Sequence, residues 1–417
     1  MKFGIFYEHQ LPRPWDDGLE QRLFQDALDQ VELADRLGID YAWEVEHHFL
    51  EEYSHSSAPE VFLAACSQRT KSIRLGHGIV LMPPNYNHPA RVAERISTLD
   101  LVSNGRVEWG TGESSALLEL GGYKVPVEEK RDQWMEAVEQ CANMMALDPY
   151  PGYEGKFFSM PCRNIVPKPV QKPHPPIWVA CSNRETIKLA AKLGIGALTF
   201  AFVDPSEAKS WVDDYYRIFK EECIPIGHTV NPNVAMVTAF SVHESAKEAR
   251  KRGLEGFQFF GYALGHHYIF GEHTPGRTDI WESYQSAKES IPDDDVGGIG
   301  TPEDLRKHLK GFEDAGVDQV SFIQQSGKNK HEHICESLEL FAKKVMPEFK
   351  ENEINRQKKK MKDLEPYIEK AMKRKKEFKQ LQDEEIPKVV ALGRQVTEQS
   401  ESQSDNSVFD DNNFAAE

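Results

Sequence analysis

From residue 1 to about 348, short apolar runs alternate with stretches of helical periodicity. The apolar runs are KFGIFY, YAWEVE, IRLGHGIVL, GRVEWGTG, PIWVAC, ALTFAF, NVAMVTAFSV and DQVSFIQ, and they give eight predicted strands. Between the first two, Leu23, Phe24, Ala27, Leu28, Val31, Ala34 and Leu37 recur at helical spacing, and Gly38 follows where a left-handed C-terminal cap belongs. Near the last strand, Thr301 precedes Pro302 and two acids, which predicts an N-cap with proline at the first helical position. Eight strand-helix units of this length predict an α/β fold, a (β/α)8 TIM barrel. An open doubly wound sheet fits less well, because the first strand runs into EHQLPRPWDD without a GxGxxG turn.

Two stretches interrupt the rhythm. Residues 147–176 are rich in Pro, Gly and aromatics and read as an ordered excursion over the barrel mouth. Residues 255–300 form a second insertion, whose aromatic content predicts an ordered lid or a dimer surface. The expected organisation is a barrel domain over 1–348, a charged helical extension over 349–397 that packs on the barrel or on a partner, and an acidic tail over 398–417 with the composition of a disordered segment.

The formal charge of −17 opposes a nucleic-acid surface, which needs clustered Lys and Arg. Six cysteines lie far apart with no CxxC pair, as expected in a reducing compartment. The segment MKFGIFYEH enters a strand pattern at once, and no apolar run reaches membrane-spanning length. A soluble cytoplasmic protein is the expectation.

In a barrel, residues at the C-terminal ends of strands share one mouth. Glu46, His47 and His48 end the second strand and are placed there by topology. A histidine pair after a strand is more often structural than catalytic. Even so, an imidazole that titrates near neutrality shuttles protons, and a neighbouring carboxylate fixes its tautomer. Metal binding lacks a partner set, because His266 with His267 and His331 with His333 sit in distant segments without a recognised ligand spacing; no metal ligand is assigned. Gly76 and Gly78 flank His77, which fits a bulge or a backbone passing close to something flat. Gly110 and Gly112 allow the same approach after the fourth strand. The fifth strand leads through Cys181, Ser182, Asn183 and Arg184 into a helix; Ser182 with Glu185 has capping-box spacing, and the same residues could hold a phosphate.

Taken together and in order, MKFGIF, AWEVEHHF, GHGIVLMPPNYNHPARVAERISTLDLVSNGRVEWGTG, PKPVQKPHPPIWVACSNRETI, GTPEDL and HICESLELFAKKVMPEF resemble the bacterial luciferase-like family of flavin-dependent monooxygenases over residues 1 to about 348. The resemblance implies a barrel, usually dimeric, with FMN at its mouth. It implies that His47 is a catalytic acid or base and that Glu46 lies beside the flavin ring. By the same resemblance His77 and Gly78 run along the flavin, often through a non-prolyl cis peptide, with Gly112 and Phe200 also against the cofactor. Cys181, Ser182, Asn183 and Arg184 match the phosphate grip. Gly112 stands where the luciferase itself has a reactive cysteine, and Thr199 and Phe200 where it has a Ser-Trp pair. The activity implied is oxidation of a small, apolar organic substrate with oxygen and reduced FMN. Since the chain has no nicotinamide fingerprint, a separate reductase is the expected partner. A deazaflavin-dependent hydride transfer and a non-catalytic flavin-binding protein are the alternatives. Trp15, Tyr53 and Met82 are candidates for an apolar substrate wall, although each is also a packing residue.

Overall fold

The computed structural model describes residues 1–200, 202–291, 296–376, 378, 380–395 and 397; the 398–417 tail lies outside them. The eight predicted strands all form: β1 Lys2–Tyr7, β2 Tyr41–Glu44, β3 Arg74–His77, β4 Val107–Thr111, β5 Ile177–Cys181, β6 Gly196–Thr199, β7 Val234–Ala239 and β8 Gln319–Ile323. They pair in parallel in sequence order, and β8 closes on β1 to make a barrel. In the closing pair Lys2 faces Gln319, and Gly4 lies between Ser321 and Tyr41.

Side-chain alternation along the strands divides most of the buried apolar residues into two large cores. One lies between strands and helices and includes Phe3, Leu75, Trp109, Trp134, Ile187 and Phe341. The other fills the barrel and continues into the second insertion, with Phe6, Trp43, Trp178, Leu198, Phe259 and Tyr284. Two indoles occupy the barrel interior, Trp43 and Trp178, edge to face at 5.4 Å. Their bulk is accommodated by glycines: a Cβ on Gly76 would lie 2.2 Å from the Trp43 ring, and one on Gly196 would lie 2.3 Å from Trp178. The flat partner of the β3 glycine is therefore a side chain of the protein itself.

The first helix spans Leu19–Leu37 and ends on Gly38 at φ +84°. Thr301 caps the helix Pro302–Asp314 in a full capping box with Asp304. Residues 147–176 do not cross the mouth. They form an antiparallel hairpin, Tyr150–Glu154 with Ser159–Arg163, on the flank of the helix Lys130–Ala146. There the Tyr150 hydroxyl donates to Gln140 at 2.9 Å, and Glu136 accepts the Phe157 and Phe158 amides. The described part of the second insertion is docked on the barrel: the helix Ala246–Gly265 runs into a π-helical turn His266–Phe270, then a loop and the helix Ile280–Ala287. Buried Glu52 accepts the Ile280 and Trp281 amides, which binds this last helix to the segment after β2.

The charged extension folds under its own barrel. Arg356, on the helix Glu353–Arg374, donates to the carbonyls of Val317 and Asp318 at 2.8 and 3.0 Å, and Lys360 meets the Asp318 carboxylate at 2.7 Å. The buried amino group of Met1 pairs with Glu353 at 2.7 Å. These contacts cover the N-terminal ends of β1, β7 and β8, the face of a barrel that serves stability. No described helix is long and apolar enough to cross a membrane.

Candidate active site

A cavity of about 740 Å³ opens at the C-terminal mouth of the barrel, within the size range of small-molecule and cofactor sites. Strand alternation decides which motif residues face it. Along the second strand and its exit, Trp43 and Val45 point inward, Glu44 and Glu46 point outward, and His47 returns to the cavity. Glu8, directly after β1, and Tyr53 join His47 on this wall.

His47 lies between two acids that the sequence reading did not select. Its Nδ1 is 2.9 Å from Oε1 of Glu119, on the short helix Leu117–Gly122, and its Nε2 is 3.6 Å from Oε2 of Glu8. The same Glu119 oxygen accepts the His48 amide at 2.8 Å, and the other accepts the Ser114 hydroxyl. Glu8 takes the Tyr53 hydroxyl on Oε1 at 3.0 Å, while its Oε2 is buried without a hydrogen-bond partner. Burial pushes the Glu8 carboxyl up to about 7 against the pull of His47 and Tyr53. For His47 burial is again the largest single influence and opposes the charge, but Glu119 and Glu8 together outweigh it and hold the imidazole at about 9. Glu119 is buried, which works against its charge, yet His47, Ser114 and the His48 amide bring its carboxyl below the ordinary value. At neutral pH the unit is a charged imidazole on a carboxylate, with a second carboxyl near its midpoint.

The His47 shift is a statement about stability. Its folded pKa is raised, so its contribution is complete below the ordinary 6.5 and disappears as pH rises through about 9. In a Glu8→Gln background, which removes the other group that titrates in this window, the protein with His47 is expected to lose up to about 3 kcal/mol between those values that the form also carrying His47→Gln does not lose. Urea denaturation of both proteins across that window checks it; parallel curves would contradict the charged imidazole. Histidines with depressed pKa, among them His77, His174, His267 and His308, act on the acid side of 6.5 and are common to both proteins.

Glu8 follows β1 and Ser182 follows β5, four strands away in the closed order of eight, so they face each other across the mouth. Around Ser182 the lining includes Asn183, Thr186, Glu113, Lys130 and Arg131. Asn183 caps the helix Arg184–Lys192, its Oδ1 accepting the Thr186 amide at 3.0 Å, so the cap is one residue later than the Ser182–Glu185 spacing predicts. Arg131 grips Glu113 through two bonds of 2.6 and 2.9 Å, and Lys130 is 3.3 Å from the same carboxylate. Two cations and a helix start thus converge on one wall, where an anion would find donors. Between the two walls the lining is apolar: Val45, Ile79, Val179, Phe200 and Phe202, with Leu264, Tyr268 and Ile269 from the second insertion.

Of the residues singled out from sequence, His47, Gly112, Ser182, Asn183 and Phe200 line the cavity. Five others do not. Glu46 is turned outward, where it accepts the Leu81 amide and the Asn87 side chain at 2.8 Å each and meets His48 at 3.1 Å. His77 points into the helix layer toward Glu60 and Arg95, because only its neighbours Gly76 and Gly78 share the inner register. Gly78 faces the barrel interior but is not among the lining residues; a Cβ there would meet Phe6 and Val45 at 3.2 and 3.3 Å. Cys181 is fully buried in the outer core. Arg184 is 45% exposed and paired with Asp214 at 2.8 Å. Tyr53 lines the cavity, whereas Trp15 stacks on Arg13 and Met82 belongs to the outer core. Cis peptide bonds among the described residues all precede proline, so the His77–Gly78 segment is trans. Glu8 and Glu113 had a readable signal, since each directly follows a strand; Arg131 and Glu119 lie on helices and had none.

A family model described as luciferase-like monooxygenase matches residues 1–319. The oxygenase component of the flavin-dependent trigonelline monooxygenase of Acinetobacter baylyi is 26% identical over 384 residues, covering 85% of this chain and 98% of its own. The crystal structure of monooxygenase RslO1 from Streptomyces bottropensis has a TM-score of 0.69 at 25% identity and covers 84% of this chain and 100% of its own. An F420-dependent secondary alcohol dehydrogenase shares the fold, with a TM-score of 0.64 at 21% identity over 83% of this chain and 98% of its own. The family match spans well over half of the sequence and coincides with the barrel whose mouth holds the site, and on that ground the chain belongs to the luciferase-like monooxygenase family.

Proposed function

We propose that this protein is the oxygenase component of a two-component monooxygenase: it takes reduced FMN from a separate reductase and uses oxygen to oxidise a small organic substrate, largely apolar where it meets the walls. The observation that carries this reading is that one cavity is flanked by a proton-handling unit, Glu8–His47–Glu119, and, across the mouth, by Lys130, Arg131 and a helix start.

The residues present fit such a cofactor. The apolar walls of Val45, Ile79 and Phe200 suit a flat ring system, and Ser182, Asn183, Lys130 and Arg131 suit its phosphate. The unpartnered Glu8 oxygen offers a buried acceptor at the opposite wall. When bound, reduced flavin supplies the electrons that activate oxygen. The protein's part is proton control and exclusion of water. His47, charged at neutral pH, holds a proton at Nε2 beside the cavity, and Glu8, with its midpoint at about 7, takes or returns one. Glu119 fixes the orientation of the imidazole through Nδ1. Leu264, Tyr268 and Ile269 close the apolar side against solvent.

A hydride-transfer enzyme that uses a deazaflavin is the second reading, favoured by the shared fold with the F420-dependent dehydrogenase. Anaerobic equilibrium titration with reduced FMN, oxidised FMN and F420 separates the two. Tightest binding of reduced FMN is expected, and a clear preference for F420 would replace the monooxygenase reading.

A further inference from the structure

We propose that the second insertion contains a site for one divalent transition-metal ion of the zinc class, formed by His266, His267 and His273, which fixes the turn and loop of this insertion beside the cavity.

His266 and His267 open the π-helical turn, a distortion found disproportionately at functional positions, and His273 lies in the loop beyond it. One ligand atom from each falls within 4.8 Å of the others, and the ring centroids are 5.1 to 5.4 Å apart. His266 Nε2 and His273 Nδ1 are 3.2 Å apart. Two nitrogens held at 2.0–2.1 Å by one tetrahedral ion are about 3.3 Å apart, so this pair already has the required spacing. The third nitrogen needs a displacement of the order of one ångström, which side-chain rotation supplies.

Two of the three rings also face an acceptor outside the cluster, the direction in which metal-ligating histidines turn their other nitrogen. Nε2 of His273 is 3.3 Å from Oε1 of Glu51, and His267 is bonded to the Leu50 backbone. Nε2 of His267 is buried with no hydrogen-bond partner, an unsatisfied group that an ion would satisfy. Glu51 is already engaged by Arg13 at 2.8 Å and the Gly276 amide at 2.6 Å, so the fourth position is left to water.

The placement gives the ion a purpose that does not depend on the flavin reading. The Tyr53 ring lies 6.0 Å from His267 and 5.8 Å from His47. Tyr268 and Ile269, which wall the cavity, sit in the same turn as two of the ligands. Occupancy would therefore hold that wall in place. The spacing, two adjacent histidines and a third six positions on, matches no recognised ligand pattern, so the chain order by itself does not connect His273 to the other two.

The test uses the full chain freed of metal with a chelator and titrated with Zn²⁺ by calorimetry, with Co²⁺ absorption as a second readout. One equivalent per chain is expected, with histidine-ligated Co²⁺ bands and a thermal midpoint that rises with Zn²⁺. His267→Ala and His273→Ala should each abolish saturable binding, Glu51→Gln should weaken it by about 10- to 100-fold, and His333→Ala should leave it unchanged. His267→Gln, with circular dichroism, guards against misfolding of the alanine forms. No saturable Zn²⁺ binding by the wild-type chain, or binding indifferent to residues 267 and 273, would overturn the proposal.

Discussion

His47→Ala is expected to slow substrate-dependent oxygen consumption with reduced FMN by about 10²- to 10⁴-fold, the usual worth of a positioned acid or base. Among the described residues lining the cavity, the imidazole alone pairs with both Glu8 and Glu119, at 3.6 and 2.9 Å, so none of these neighbours takes over its position. Alanine has a second effect. It leaves the Glu119 carboxylate buried without its cation, and breaking a buried pair from one side costs about 3–5 kcal/mol. Part of that is recovered because Glu119 keeps the Ser114 hydroxyl and the His48 amide. His47→Gln separates the two effects: it retains a donor toward Glu119 but holds no transferable proton. The expected pattern is a similar rate loss in both variants, a smaller stability loss in the glutamine form, and reduced-FMN affinity within a few-fold of wild type. Turnover within about threefold of wild type in His47→Gln would remove the acid-base assignment.

The second large effect concerns two arginines that sequence cannot rank. Arg184, within the VACSNRE motif, is the residue selected from sequence, yet it is half exposed on Asp214 and absent from the cavity wall. Arg131 lines the cavity with Lys130, and both are balanced by Glu113. Loss of a charge-assisted bond to a phosphate is worth about 1.5–3 kcal/mol, or roughly 10- to 100-fold in Kd. Arg131→Ala also leaves Glu113 less compensated and facing the incoming anion, which pushes the effect toward the upper figure. Arg184→Ala is expected to leave affinity within about twofold. Fluorescence titration with FMN and with riboflavin tests the assignment, because a phosphate contact weakens FMN binding and spares riboflavin. Equal weakening of the two flavins would show that Arg131 acts on the ring or on the fold instead.

Local sequence determined the barrel. Apolar runs with period two gave the eight strands, period 3.6 gave the helices, and Gly38 and Thr301 marked helix ends, since each of these depends on neighbours a few positions away. The same logic put His47 at the mouth, because the end of a strand in this topology is the mouth. What tertiary structure alone decided is everything that depends on closure of the ring and on which face a residue shows. Glu119 lies 72 positions from His47 and meets it because the short helix that follows β4 reaches past β3 to the exit of β2. His77 and Gly78 read as one motif, yet one faces the helices and the other the barrel. The charged extension has a composition suited to solvent, but its arginines and lysines find the carbonyls left at the bottom of β7 and β8. Periodicity records burial, which is a property of one segment; charge pairing, cavity lining and ligand sets are distances between segments, and only the closed barrel fixes those.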